Sequence, residues 1–234
     1  MHKKKSLGQH FLNNKDLLGA VVDAATITKR DTVVEIGPGE GTLTEVLLER
    51  GAKVVALEKD TRLIELLKNK FKGQDFKVIE GDALEYEPEF KKYKVVGNVP
   101  YYITGGLFKK FLTSKQQPST LVFLVQKEVA ERIAREKKES ILSLSVKAYG
   151  TPKYIKTVPA GAFVPPPKVD SAILLVSEIS RKHFKNKAHE EKFFELVKKA
   201  FGSKRKMLRS TLGIDSSKRP EDLTLPEWLD LASL

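Results

Sequence analysis

Residues 32–41 read Thr-Val-Val-Glu-Ile-Gly-Pro-Gly-Glu-Gly, a short β-rich run that passes straight into glycines at alternate positions. An apolar pattern of helical spacing follows at 42–50, so the stretch is written as strand, tight turn and helix. The same grammar recurs downstream. Further runs rich in Val, Ile and Leu lie at 53–58 (KVVALE), 76–80 (FKVIE), 93–98 (YKVVGN) and 119–125 (STLVFLV). Helical patterns fall between and after them, near 60–71, 104–113 and 126–137. Short, almost continuously apolar strands alternating with helices predict a mostly parallel α/β sheet covered on both faces.

After Ala148 the pattern changes. Residues 153–158 (KYIKTV) and 172–179 (AILLVSEI) read as two more strands, joined by a long connection that contains Pro165, Pro166 and Pro167. Three prolines cannot donate ladder hydrogen bonds and favour a stiff, extended segment, and a loop of this length is uncommon without a function. From about Ala188 the composition is helical. The division this predicts is a Rossmann-like sheet domain over 1–182, with a basic N-terminal segment, and a small basic helical domain over 183–234.

The chain has 234 residues and a formal net charge of +12. The charge is concentrated: residues 181–210 hold eleven Lys or Arg against three Asp or Glu, and Lys3, Lys4 and Lys5 add a second cluster. Such blocks suit a nucleic-acid backbone, where each neutralised phosphate releases counterions. There are no cysteines, which excludes a disulfide framework, a thiol nucleophile and a zinc site built on sulfur. The four histidines show no metal-ligand spacing, so no metal is expected. No apolar run approaches the roughly 20 residues of a membrane span, and the basic start lacks the apolar stretch of a signal peptide. The expected location is the cytoplasm.

Three groups of residues carry chemistry. Glycines at 37, 39 and 41 let a ligand approach the backbone at a helix N-terminus; they form neither the dinucleotide fingerprint nor a P-loop. Glu58 ends the second strand, where a carboxylate can accept both hydroxyls of a ribose, and Asp82 follows the third, where it can accept from an exocyclic amine. Each acid alone could equally be a helix cap or a loop residue. Together, at the carboxyl ends of parallel strands, they favour an adenosine-containing cofactor. The third group is Gly97-Asn98-Val99-Pro100-Tyr101-Tyr102. An amide oxygen, the carbonyl before a proline and an adjacent aromatic ring suit a planar amino group on a stacked base.

With these motifs in order, the chain resembles the KsgA/RsmA family of ribosomal RNA adenine dimethyltransferases along nearly its whole length. Ser6 to Leu12 is similar to the family's GQ[N/H]FL segment, Glu35 to Gly41 to its EIGPGxG loop, and Asn98 to Tyr101 to its NLPY, with Val99 for Leu. Gln126 to Val129 matches QKEV, Phe163 with Pro165 to Ser171 matches FxPPPKVDS, and Phe201 to Leu212 resembles a basic C-terminal helix.

The resemblance implies a class I methyltransferase fold and S-adenosyl-L-methionine as cofactor. Gln9, His10 and Leu12 would face it from the N-terminal segment, Gly37 and Gly39 from the loop, with Glu58, Asp82 and Asn98 completing the set. Asn98, Val99, Pro100 and Tyr101 would hold the target adenine, and Phe163 would stack on it opposite Tyr101. The substrate implied is a pair of adjacent adenosines near the 3′ end of 16S rRNA, in a pre-30S ribosomal subunit, modified by a monomeric enzyme. Lys204, Arg205, Lys206 and Arg209 would grip the RNA. Between Leu212 and Arg219 the chain is shorter than the family usually is, which trims the helical domain. Two other readings stay open here: an Erm-type 23S rRNA adenine methyltransferase and a non-catalytic rRNA-binding assembly factor.

Overall fold

The structure, a computed structural model, describes residues 10–203 and 205–234. Gln9 and Lys204 therefore lie outside the described residues, as do Lys3, Lys4 and Lys5. The order of elements is β1 (Phe11–Leu12), α1 (Lys15–Ala24), β2 (Thr32–Ile36), α2 (Thr42–Glu49), β3 (Lys53–Glu58), α3 (Thr61–Lys70), β4 (Phe76–Glu80), β5 (Lys94–Asn98), α4 (Thr104–Thr113), β6 (Thr120–Gln126) and α5 (Lys127–Ala134). It continues with α6 (Ile141–Lys147), β7 (Thr151–Val158), β8 (Phe163–Val164), β9 (Ser171–Ser177), α7 (Lys187–Phe201), α8 (Leu208–Leu212) and α9 (Leu225–Ala232).

Seven strands form one sheet in the order β4-β3-β2-β5-β6-β9-β7, parallel except that β9 runs antiparallel to both of its neighbours. This is the class I methyltransferase arrangement. The chain order reverses between β3 and β5 on either side of β2, which places a crevice at the carboxyl ends of those three strands.

Alternation along the strands builds a core on each face. On β6, Leu121, Phe123 and Val125 enter one cluster, and Val122 and Leu124 enter the other. The second face is covered by Leu17, Leu18, Val21 and Val22 of α1 and by Leu43 and Leu47 of α2. The first is covered by α4, through Leu107, Phe108 and Phe111, and by Phe193 and Val197 of α7 and Trp228 of α9. Each such side chain contributes about 1.5–3 kcal/mol on burial, so the strands need no solvent-facing polar row. One cluster thus runs from the sheet into the C-terminal helices without a break at residue 183.

Three features depart from the sequence reading. Helix α1 was not expected; Asn14 starts it by accepting a hydrogen bond from the Leu17 amide at 3.0 Å. The helix expected over 126–137 stops at Ala134, and α6 is a separate helix begun by a reciprocal Ser140–Ser143 capping box. The basic helix expected over 201–212 is broken. Helix α7 ends at Phe201, a turn follows, and α8 resumes at Leu208, whose buried side chain joins the core. The amides of Leu208 and Arg209 bond to the carbonyls of Lys218 and Ser216 at 2.9 and 3.3 Å, so the returning chain satisfies the start of α8. Among the described residues no helix is long and apolar enough to cross a membrane.

Candidate functional site

A cavity of about 330 Å³ opens at the carboxyl ends of β2, β3 and β5. Its walls come from the glycine turn, the Glu58–Lys59 step, residues 81–84 and residues 98–103, and β1 closes one side. His10, Leu12, Gly37, Gly39, Glu58, Asp82, Asn98, Val99, Pro100 and Tyr101 all line it. Residues from His10 to Tyr101 are therefore gathered at one rim of the sheet.

The glycine turn needs its glycines. Gly39 has φ +59°, and a Cβ placed there would stand 2.7 Å from the Phe11 ring. Its amide donates to Glu58 Oε2 at 3.1 Å, while Glu58 Oε1 accepts from the Asp60 amide at 2.8 Å. Each carboxylate oxygen carries further lone pairs, so both remain able to accept from a ligand. Glu58 is 4% exposed, and burial raises its pKa while the backbone amides pull it down. Asp82 is held from two directions: Oδ1 accepts from the Leu84 amide and Oδ2 from Lys59 Nζ, each at 2.9 Å. The Lys59 hydrogen bond is the main reason its pKa is lowered.

Asn98 ends β5, and its Nδ2 donates to the His10 carbonyl at 2.8 Å. A carbonyl can only accept, so this bond fixes which end of the amide points where and leaves Oδ1 as the acceptor for a ligand. His10 is itself tied down: Nδ1 lies 2.7 Å from the Pro165 carbonyl, and Phe11 and Leu12 pair antiparallel with Val164 and Phe163. The N-terminal segment is thus stitched to the proline connection and lies along the cavity. Tyr101 is half-buried, with its hydroxyl 2.6 Å from Ser171 Oγ and its ring stacked at 6.2 Å from that of His10. Burial raises the Tyr101 pKa, so it stays a neutral phenol at physiological pH.

Phe163, expected to stack on the base, is not among the residues brought to the cavity wall. It is 2% exposed and packs with Leu12 in the core cluster that also holds α1. It sits in β8, paired with Leu12. The aromatic side chains at the cavity are Phe11, Tyr101 and Tyr102, the last of them 73% exposed, with the His10 ring beside them. Two further lining groups were not singled out from the sequence. Lys59 pairs with Asp82, and its only signal was its place directly after Glu58. Glu35 lies on the floor, accepts from the Thr44 hydroxyl at 2.6 Å, and is pushed by burial to a pKa of about 8. It is therefore mostly protonated at neutral pH and places no full negative charge beneath a ligand. Of the expected RNA-binding residues, Arg205 and Lys206 are exposed on the turn between α7 and α8, and Arg209 is exposed on α8.

The residues present fit S-adenosylmethionine. A buried carboxylate with spare acceptor capacity can take a ribose diol, Asp82 can take an amine, and Ile36, Leu57 and Leu84 offer apolar walls for a purine. The bare glycine turn admits the rest without a side chain in the way.

The chain is similar to known proteins over nearly its whole length. Residues 1–224 match the family model described as ribosomal RNA adenine dimethylase. Ribosomal RNA small subunit methyltransferase A of Dehalococcoides mccartyi is 41% identical over 253 aligned residues, covering 97% of this chain and 87% of that protein. Among solved structures, a dimethyladenosine transferase from Plasmodium falciparum superposes with a TM-score of 0.84 at 27% identity, covering 95% of this chain and 96% of that one. The 23S rRNA methyltransferase ErmE has a TM-score of 0.78 at 24% identity over 95% of this chain and 98% of its own, a likeness of fold.

Proposed function

This chain belongs to the ribosomal RNA adenine dimethylase family, and from that premise we propose how its site works and on what particle. It is an S-adenosylmethionine-dependent rRNA adenine dimethyltransferase. The proposed substrate is a pair of adjacent adenosines near the 3′ end of 16S rRNA in a pre-30S particle, modified on the exocyclic N6 amine by a monomeric, cytoplasmic enzyme. The observation that carries the chemistry is the Asn98 amide, anchored through Nδ2 to the His10 carbonyl at the edge of the cavity.

S-adenosylmethionine supplies an electrophilic methyl group on a sulfonium. When it is bound, Glu58 would accept from its ribose and Asp82 from its adenine, and the turn at Gly37 and Gly39 would leave room for it. Asn98 Oδ1 and the Val99 carbonyl accept the two N–H bonds of the target amine. A base amine is a poor nucleophile because its lone pair is delocalised into the ring. Drawing both N–H bonds toward acceptors favours a more pyramidal nitrogen with a more available pair. Tyr101 offers a face on which the extruded base stacks. Placement then does most of the work, since holding two reactants in line replaces a collision by a first-order step. As the new C–N bond forms, the donor's S–CH3 bond would break to leave a neutral thioether, and only then does the amine proton become acidic and leave to water, so no side chain need act as a base. Glu35, mostly protonated, and Tyr101, a phenol, are not candidates for that role.

The deciding experiment combines purified protein with 30S particles from a strain lacking the modification and follows the 3′ fragment of 16S rRNA by mass spectrometry. Two adjacent residues should each gain two methyl groups. Methylation of protein-free 23S rRNA in a parallel reaction, with the 30S particles left unmodified, would select the Erm-type reading, and no donor binding in calorimetry would leave only an RNA-binding assembly factor.

The basic stretch gives a second expectation. Lys204, Arg205, Lys206 and Arg209 are proposed to bind phosphates. Changing all four to Gln should flatten the plot of log affinity against log salt by about 0.7–0.9 for each phosphate that is no longer neutralised. An unchanged slope would remove these residues from the interface.

A further inference from the structure

We propose that Ser171 is a positioning residue for the reaction: its hydroxyl sets the plane of the Tyr101 ring against which the target base is held. The inference rests on the reading of Tyr101 as the ring that faces the base. Ser171 is fully buried and does not line the cavity, so it touches neither the cofactor nor the base. What its Oγ touches is the Tyr101 hydroxyl, at 2.6 Å.

The support behind that hydroxyl is rigid. Ser171 opens β9, which lies between two other strands, and it is paired with Gln126 of β6 on one side and Val158 of β7 on the other. The residue before it is fixed as well. The Asp170 carbonyl accepts the Lys127 amide at 3.0 Å, and Asp170 Oδ1 accepts the Ala160 amide at 3.0 Å. Tyr101, by contrast, lies in a single 3-10 turn between β5 and α4, where the backbone restrains a side chain less. A tyrosine ring pivots about two torsions, and gripping its hydroxyl removes most of that freedom. Ser171 is therefore the point at which the sheet, and not the turn, determines where the ring lies. The neighbouring His10 ring, stacked at 22° to that of Tyr101, bears on the same side chain from the N-terminal segment.

A double-mutant cycle tests this. Ser171→Ala and Tyr101→Phe each remove one end of the hydrogen bond and leave the other side chain in place. Each should lower kcat on 30S particles about tenfold. Each should also leave the Kd for S-adenosylmethionine within about twofold in calorimetry. The double variant should be no slower than either single one. A merely structural serine would move Tm and not kcat. Losses that multiply in the double variant, or full turnover by Ser171→Ala beside an impaired Tyr101→Phe, would overturn the inference. If Ser171→Ala does not fold, Ser171→Cys takes its place in the same cycle, since it keeps the volume and weakens the bond. Tyr101→Ala separates this inference from the reading beneath it. Full activity there would sink the stacking role of Tyr101, whereas an inactive Tyr101→Ala beside a fully active Ser171→Ala would sink Ser171 alone.

Discussion

Asn98→Ala is expected to lower kcat by a factor of about 10²–10³ or more, a loss of the size seen when one oriented polar group facing a reacting atom is removed. Two consequences of the geometry combine. The substitution deletes the Oδ1 acceptor, and it also releases the His10 carbonyl, which loses the Nδ2 donor at 2.8 Å. The target amine would then keep one acceptor, the Val99 carbonyl, and would be neither pyramidalised nor aimed. RNA affinity should stay within a few fold, because phosphate contacts supply most of it. Asn98→Asp distinguishes orientation from mere presence of an acceptor. It keeps the volume and the oxygen, but its carboxylate has no hydrogen to give the His10 carbonyl and faces that oxygen with repulsion. It should be nearly as slow as the alanine variant. Single-turnover methylation on 30S particles, with filter binding of the same RNA, measures both halves. Rapid transfer by Asn98→Ala would remove this residue from the chemistry.

How far this was legible in the sequence differs from element to element, for physical reasons. Strand β3 starts and ends where its Val-rich run does, because a strand buried among others must be apolar nearly throughout; β4 also keeps the bounds of its run, although it is the half-buried edge of the sheet. The acids and the Asn98 segment were legible as chemistry because they end such runs, and strand ends are where an open α/β sheet binds ligands. The pair formed by β1 and β8 was not legible: two residues have no period, and Phe11 and Val164 are far apart in the chain. Phe163 was expected to stack on the base from the resemblance of its motif alone. An aromatic residue close to a proline tract can turn either way, and its burial in the core shows which way it turns. Helix α1 contains Gly19, Val21 and Val22, poor helix formers whose helix is decided by burial against the sheet. The basic stretch after Phe201 has helical composition, yet Gly202 and Ser203 stop α7 and the buried Leu208 restarts the chain in another direction. Composition does not reveal such a break; packing against the core creates it.

Gly39→Val is expected to weaken S-adenosylmethionine binding by roughly a hundredfold. Backbone and steric arguments point the same way. At φ +59° any residue with a Cβ is strained by about 1–2 kcal/mol. The new Cβ would meet the Phe11 ring at 2.7 Å, inside any tolerable approach, so either the turn or β1 must move. If the turn lifts, the Gly39 amide leaves Glu58 Oε2, and a hydrogen bond to a charged group contributes about 1.5–3 kcal/mol. If β1 yields instead, the His10 and Leu12 side of the cavity opens. Either movement spoils the donor pocket. A lifted turn leaves the Asn98 acceptor in place, so turnover at saturating donor should then fall much less than affinity, whereas a displaced β1 would also loosen the His10 carbonyl that orients Asn98. Gly19→Ala is the matched control: it lies in α1, a Cβ there has nothing within 4 Å, and its φ is not positive. That change should leave binding alone and raise stability by about 0.5–1 kcal/mol, the usual difference between glycine and alanine in a helix. Calorimetric titration of both variants with S-adenosylmethionine, with thermal melts alongside, makes the comparison. An unchanged Kd for Gly39→Val in a folded protein would mean that the donor does not lie against this turn.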